Sequence, residues 1–276
     1  MEKKIRKYAF SVNDCFGAFD TSCNRVKFFS CIANNLDLDK LPTRWDIPNP
    51  SGITYMFRAP ITQEEKQLVL DGYKHFMHCY LVRDCIESFT FSLDYLFLVL
   101  LLRKKIIYSG QTWMDALSME EKKELEKFQK AGLSSKEGKL QLLKSRFGLE
   151  LTEDHRKVII GLRDIRNCFA HGYGIVRPTD GQKATDRERV FTWRTFAIIA
   201  KGASGEETNI KLNQIIPEQS NVCMRLQNHE KCFKIGERLS FTPAETYEIA
   251  SSLKYVAINF MGEIQNKLND KQGDAA

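Results

Sequence analysis

The sequence predicts a mainly α fold, an up-and-down helical bundle with an N-terminal extension and a small β-hairpin excursion before the last helix. Apolar runs of helical period follow capping boxes, in which a serine or threonine precedes a glutamate by three positions. Between residues 173 and 240 the pattern changes to β-prone runs separated by turn-like breaks. The chain of 276 residues is 43% hydrophobic, which is enough to build a packed core. The capping boxes begin at Thr62, Ser118, Ser134 and Thr242.

Residues 1–60 are predicted to form an irregular extension of short strands and loops. Three prolines and a glycine in "LPTRWDIPNPSG" interrupt any helix there. Residues 61–172 are predicted to form the helical bundle, and its first helix is expected to be broken at most once. The helices of this bundle are expected from Thr62 to about Lys105, after Ser118, after Ser134, and from Thr152 to Ala170.

The apolar stretch Phe89–Leu102 inside that bundle has only 14 residues and contains Asp94. A bilayer span needs about 20 consecutive apolar residues. The stretch therefore predicts a buried core helix, and no membrane association is expected.

Residues 173–240 are predicted to form the β excursion, about two hairpins built from runs such as "RVFTWRTFAIIA" and "KCFKIGERLSF". The closing helix is predicted at residues 241–268. Pro243 would be its first helical residue, where the missing N–H costs nothing. Residues 269–276 are expected to form a frayed tail.

Charge and cysteine content limit the class of protein. The formal net charge of +6 permits a polyanionic partner such as RNA but does not require one. None of the eight cysteines forms a CxxC pair, so reduced and buried thiols are expected. The opening "MEKKIRKYAF" lacks the apolar core of a signal peptide. Together these features predict a cytoplasmic protein.

The stretch "LRDIRNCFAHGYG" carries polar residues at the end of an apolar-striped helix. Asn167 and His171 are four residues apart and share one side, opposite the core stripe. Arg166 lies at the edge of that stripe, about 140° from His171. The two can converge on a small ligand only near the helix end, in a groove formed with a second surface. Gly172 or Gly174 is expected to terminate the helix. The core stripe comprises Val158, Leu162, Ile165 and Phe169.

A purely structural interpretation of this stretch stays open. His171 in the last turn interacts favourably with the helix dipole. Arg166 could pair with Asp164 or with a carboxylate on a neighbouring helix. On the long first helix, the charged residues that could support Arg166 are Arg83, Asp84 and Glu87.

The segment "RNCFAH" resembles the arginine–x4–histidine motif of HEPN domains, in which a polar residue follows the arginine. The motif stands at the end of a long helix late in a helical bundle, as it does in that superfamily. The resemblance covers about residues 62–268 and implies a HEPN-like bundle that cleaves RNA without a metal or other cofactor. It further implies a toxin or anti-phage defence effector. The catalytic residues it implies are Arg166, Asn167 and His171.

The resemblance also implies the reaction and the assembly. The ribose 2′-hydroxyl attacks the phosphorus, which leaves a 2′,3′-cyclic phosphate and a 5′-hydroxyl. His171 would transfer protons, and Arg166 would stabilise the transition-state charge. Active members usually pair two HEPN units around one cleft, so a homodimer is expected. The alternative is a catalytically silent HEPN module that serves as a scaffold for dimerisation, partner binding or nucleotide binding.

Tyr173 extends the motif to the form found in HEPN toxins, where an antitoxin adenylylates the tyrosine. An antitoxin or another activating partner is therefore conceivable, although those toxins are much shorter than this chain. A packing role or stacking on RNA is the alternative for Tyr173. Arg163 is a further possible regulatory or RNA-contacting residue.

Two other groups of residues are candidates for binding a metal ion or RNA. His75 and Cys79, four residues apart, could share a zinc ion, but no matching second pair is evident, so no metal site is predicted. Several basic residues could hold an RNA backbone or could simply be solvated. They are Arg103, Lys104, Lys105, Arg187, Arg189 and Arg194.

Overall fold

A computed structural model confirms a mainly α protein with a small antiparallel sheet. It describes residues 5–6, 12–40, 44–48, 54–58, 62–103, 105, 107–108, 111–133, 138–202, 205–210 and 221–273. The helices are α1 Val12–Cys15, α2 Gly17–Asn35, α3 Gln63–Leu102, α4 Met119–Lys130, α5 Lys139–Phe147, α6 Glu153–Gly172 and α7 Pro243–Gly273, with a 3-10 turn at Leu38–Lys40. The strands are β1 Ile5–Arg6, β2 Arg44–Pro48, β3 Thr54–Arg58, β4 Ile107–Tyr108, β5 Gln182–Lys183, β6 Glu188–Lys201, β7 Glu207–Asn209 and β8 Asn221–Lys234.

The long helix α3 runs through 40 residues without a break. Thr62 caps it, since its side chain accepts from the Glu65 N–H while the Glu65 side chain accepts from the Thr62 N–H. By length and composition α3 could cross a membrane, but 56% of its most apolar window is buried within the fold. Such burial is typical of a core helix.

The prediction for residues 1–60 was wrong over its first half. Residues 17–35 form helix α2, which packs against α3 and α7, whereas β2 and β3 are short strands of the expected kind and pair with each other antiparallel. The buried face of α2 includes Ser22, Cys23, Ser30 and Ala33. Small and weakly apolar residues at these positions hide the helical period from a hydrophobicity pattern.

The capping boxes predicted for the other helices are confirmed in part. Capping boxes are present at Ser118 and Thr242. The Ser134 box lies outside the described residues, and the N-cap residue of helix α5, which follows it, is Gly138. Helix α7 extends to Gly273, into the segment expected to be a frayed tail.

The β excursion is one antiparallel sheet, in which consecutive strands form two short hairpins, β5–β6 and β6–β7, and β8 adds a long ribbon with β6. Strands β6 and β8 pair antiparallel along all 14 residues of each, and the short strands β5 and β7 pair with the other edge of β6. Buried Phe191 and Trp193 on β6 join the core formed by α2, α3, α6 and α7. Helix α6, which carries the candidate motif, is thus held between α3, α7 and the sheet.

Helix α6 approaches the sheet most closely at Gly161. A Cβ atom on Gly161 would lie 2.0 Å from the carbonyl oxygen of Thr192. We expect Gly161→Ala to lower the free energy of unfolding by about 1–3 kcal/mol, because a backbone atom cannot move aside as a flexible side chain can. Gly262→Ala in α7 meets nothing within 4 Å and should raise the free energy of unfolding by about 0.5–1 kcal/mol. Urea denaturation followed by circular dichroism measures both; an equally stabilising Gly161→Ala would contradict this packing.

The eight cysteines are free thiols of two kinds. Four are buried and Cys79 is half-buried, whereas the prediction of burial was wrong for Cys31, Cys223 and Cys232, which are exposed.

Native protein at pH 8 is expected to react rapidly with Ellman's reagent at the three exposed cysteines, and at the other five only after unfolding. Burial raises the pKa of the Cys15 thiol to about 11 and those of Cys79 and Cys168 to about 12, and the thiolate is the reactive form. Peptide mass spectrometry after brief alkylation identifies the modified sites. Rapid native labelling of Cys168 would contradict the prediction.

Candidate functional site

The predicted core stripe of α6 is confirmed, and it determines where the polar residues lie. Val158, Leu162, Ile165 and Phe169 are buried, and the Thr152 side chain accepts from the His155 N–H at the N-terminus of the helix. The polar residues of the motif therefore occupy the remaining surface of α6, near its C-terminus.

The helix ends at a glycine as expected, but the residue at its C-cap is not a glycine. Helix α6 runs to Gly172, and the C-cap residue Tyr173 takes the left-handed conformation with φ of 52°; its N–H donates to the Cys168 carbonyl. Gly174 follows with φ of 77°. A left-handed conformation is uncommon for a bulky residue, and the Tyr173 side chain is 91% exposed, so burial does not account for it.

Arg166 is half-buried and shares a carboxylate with Arg83. Its Nη2 group donates to Glu87 Oε1 at 3.3 Å, and the Arg83 Nε–H donates to the same oxygen at 3.0 Å. Its Nη1 group donates to Asn167 Oδ1 at 3.3 Å. Support of Arg166 by Glu87 of α3 is thus confirmed. Asp164 instead binds Arg163, at 2.8 Å.

Asp84, the other carboxylate considered as support, faces α2. It pairs with Arg25 at 2.9 Å and accepts a hydrogen bond from Ser22. Asp84 therefore anchors α2 to α3 and has no part in holding Arg166.

A cavity of about 420 Å³ opens beside Arg166, and we call it the Arg166 cavity. Its volume falls in the range of small-molecule sites. Cationic and anionic side chains both line it, and Phe91 of α3 is exposed at its edge. The ionisable and amide residues in its lining are Glu87, Asp94, Gln129, Lys139, Arg163, Arg166 and Asn167.

His171 does not line the Arg166 cavity. It is exposed one helical turn beyond Asn167, and within the described part of the chain its ring has no hydrogen-bond or ion-pair partner. Its backbone carbonyl accepts from Arg177 Nη1 at 3.3 Å. The structure therefore brings Arg163, Arg166 and Asn167 to one cavity and leaves the imidazole outside it. The separation of Arg166 from His171 agrees with the angular argument, whereas Asn167, expected on the side of His171, lines the cavity with Arg166.

Tyr173 lines a second cavity of about 330 Å³, which we call the aromatic cavity. Phe76 and Tyr80 of α3 form one wall; their rings are 6.3 Å apart and inclined by 16°. Arg83 and Arg238 also line it. This cavity is not predicted from the sequence, although Phe76 and Tyr80 are four residues apart on a predicted helix.

The suggested zinc pair lies in this aromatic cavity as well. The distance from Cys79 Sγ to His75 Nε2 is 3.4 Å. Burial lowers the pKa of His75, with a further contribution from Arg238, and raises that of Cys79 to about 12. Both side chains are consequently neutral near pH 7. In the described ranges, no group of three or more His, Cys, Asp or Glu side chains is placed to hold a metal ion.

Other basic residues are occupied in the fold. The Arg189 side chain is buried and donates to the carbonyls of Pro178, Thr185 and Glu188, so it is not available to RNA. Arg194 pairs with Asp154 at 2.7 Å.

A larger cavity of about 620 Å³ lies near the C-terminal end of α3, away from the motif. Its cations include Lys105, paired with Glu121 at 2.8 Å, Arg146, paired with Glu124 at 3.2 Å, and Lys267, paired with Glu263 at 3.3 Å. Because these pairs neutralise much of the charge, the volume of this cavity does not make it the better candidate for an anionic ligand.

No protein-family model matches the chain, and no curated protein or solved structure shows significant similarity to it. Function is therefore inferred from the geometry of α6 and the two cavities beside it.

Proposed function

We propose that the protein is a cytoplasmic, metal-independent endoribonuclease with a HEPN-like bundle, acting as a toxin or anti-phage defence effector. The observation that carries the proposal is the Arg166 cavity, where Arg166 and Asn167 meet beside Arg163, with an exposed His171 one turn further along the same helix. A guanidinium and an amide suit the non-bridging oxygens of a phosphodiester. A histidine suits proton transfer near neutral pH.

The proposed reaction uses the nucleophile of the RNA itself. The 2′-oxygen loses its proton and bonds to phosphorus, while the bond from phosphorus to the 5′-oxygen breaks and that oxygen gains a proton. Arg166 stabilises the extra negative charge on the phosphorus oxygens. Glu87 divides its charge between Arg83 and Arg166, so it holds Arg166 in position without fully neutralising it. His171 transfers one of the two protons.

A second protomer would complete the site. Within one chain His171 lies outside the lining of the Arg166 cavity, so a facing surface must bring an imidazole and a guanidinium to the same phosphate. Phe91, exposed at the edge of that cavity, would give the partner protomer an apolar contact. We therefore propose a homodimer in which the two copies of α6 face one cleft.

Purified wild-type protein is expected to cleave single-stranded RNA in the presence of EDTA and to leave 5′-hydroxyl ends. We expect His171→Ala to lose at least a hundredfold in rate, since general acid–base catalysis typically contributes about 10²–10⁴-fold. His155→Gln, in the first turn of the same helix, is the matched control and should cleave normally. Gel assays with kinase labelling of the new 5′ ends measure rate and end group. Inactive wild type, or equal cleavage by His171→Ala, would reject the nuclease.

Two observations favour the second candidate, a catalytically silent HEPN module. Arg166 already has a carboxylate partner, and the ring of His171 is not in the same cavity. A silent scaffold would form stable dimers or bind a protein or nucleotide partner, with no effect of any α6 variant on RNA. The cleavage assay separates the two candidates.

A further inference from the structure

We infer that the aromatic cavity is a subsite for one unpaired nucleobase of single-stranded RNA, separate from the Arg166 cavity. The inference rests on the proposed function, because that function makes RNA the ligand. It adds a binding determinant on α3 and a reason for the unusual conformation of Tyr173.

The wall on α3 has the chemistry of a stacking surface. Phe76 is 64% exposed and Tyr80 is also exposed, and their nearly parallel rings stand four residues apart on one face of the helix. Exposed aromatic rings bind unstacked bases because every base has a π-face, and each base stacked typically contributes about tenfold or more in affinity.

Tyr173 adds a third exposed aromatic ring to the lining of the aromatic cavity. Its left-handed backbone is disfavoured for a bulky residue, and its exposed ring gains no burial that would compensate. Neighbouring residues fix this geometry: Ile175 and Arg238 form an antiparallel bridge, and the Leu239 N–H donates to the Gly174 carbonyl at 2.6 Å. An exposed ring held in a strained position is typical of a residue retained for binding.

The charge around the aromatic cavity suits a nucleotide. Arg83 and Arg238 line it, and no carboxylate is found in its lining within the described part of the chain. His75 and Cys79 at its base are neutral near pH 7, as their pKa shifts indicate. The cavity therefore offers aromatic faces to a base and guanidinium groups to its phosphate.

The two cavities lie along the same pair of helices. Arg83 of the aromatic cavity and Arg166 of the Arg166 cavity bind the same oxygen of Glu87. With a rise of 1.5 Å per residue, the centres of the two linings are about 18 Å apart along α3. A base in the aromatic cavity would thus belong to a nucleotide a few positions along the strand being cut. Bases stacked in a duplex cannot enter, which selects single strands.

The test uses a fluorescein-labelled 12-nucleotide single-stranded RNA with 2′-fluoro riboses, which lack the nucleophile and cannot be cleaved. We expect Phe76→Ala/Tyr80→Ala to raise the dissociation constant, measured by fluorescence anisotropy, by at least tenfold. Phe28→Ala is the matched control: Phe28 is 63% exposed on α2, pairs with Phe29, and lies outside both cavities. Tyr173→Gly should weaken binding and yet raise the melting temperature, since glycine tolerates the left-handed conformation.

An unchanged dissociation constant for Phe76→Ala/Tyr80→Ala would overturn the inference, as would failure of the wild type to bind. The inference would also be overturned if Phe76→Ala/Tyr80→Ala changed the sedimentation coefficient of the protein but not its affinity for RNA. The aromatic cavity would then contact protein. If the wild type binds through Phe76 and Tyr80 but never cleaves RNA, the nuclease proposal fails and the base-binding site stands. If Arg166 is required for cleavage while the double variant binds normally, the subsite alone fails.

Discussion

Replacing Lys139 with methionine is expected to lower the free energy of unfolding by about 3–5 kcal/mol, the usual effect of breaking a buried ion pair by removing one partner. The Lys139 side chain is 2% exposed. Its ammonium group donates to Asp94 of α3 and to the carbonyls of Phe128 and Gln129 at 2.7 and 3.0 Å. All three of its donors are thus used, and they join α3, the C-terminus of α4 and the start of α5.

Methionine fits the volume of lysine but leaves Asp94 and the Gln129 carbonyl without this donor, while the Phe128 carbonyl keeps only the hydrogen bond from the Ala131 N–H. Lys130→Met is the control, because Lys130 forms only an exposed pair with Glu126, and such pairs contribute about 0–1 kcal/mol. The double variant Lys139→Met/Asp94→Leu should recover part of the loss. Burial raises the pKa of Asp94 even though Lys139 opposes the shift, so removing the carboxylate relieves a desolvation cost. Urea denaturation measures the free energy of unfolding of all three variants. A Lys139→Met protein as stable as Lys130→Met would disprove this role.

What could be predicted from sequence was local. The capping boxes at Thr62 and Thr242 each involve residues three apart, so a short pattern contains the whole interaction. The interactions that escaped prediction link distant parts of the chain. From the sequence, Asp94 indicated only that the apolar stretch around it does not span a membrane. Its partner Lys139 lies 45 residues later, so no local pattern connects the two.

The candidate site likewise has a part that the sequence predicts and a part that depends on contacts between distant segments. The spacing of Arg166, Asn167 and His171 predicts which of them share a face, because all three belong to one helix. The lining of the aromatic cavity includes both Tyr173 and Arg238, which are separated in sequence by the whole β ribbon. The bridge between Ile175 and Arg238 brings the two segments together. No local pattern signals that approach. Helix α2 was missed for a different reason, since the serines and alanine in its buried face mask the helical period.

Arg166→Ala is expected to lower the rate of RNA cleavage by at least a hundredfold, because removing one donor to a transition-state oxyanion typically costs about 10²–10³-fold. Arg166→Lys should recover little, since an ammonium group cannot bind two phosphate oxygens in a fork. Arg156→Ala, an exposed arginine on the same helix, is the matched control and should cleave normally. The pair with Glu87 is partly exposed, so its loss should cost at most about 1 kcal/mol of stability and the variants should remain folded.

Mixing the two inactive variants tests whether two protomers share the site. If Arg166 of one protomer acts with His171 of the other, a heterodimer of Arg166→Ala and His171→Ala keeps one intact pair. Random exchange makes about half of the dimers mixed, each with one of two sites intact, so about a quarter of the wild-type rate should return. If Arg166 and His171 of the same chain form the site, mixing the two variants cannot restore activity, whatever the ratio of the two proteins. Two inactive variants that stay inactive together, while sedimentation shows that they have exchanged subunits, would rule out the shared cleft.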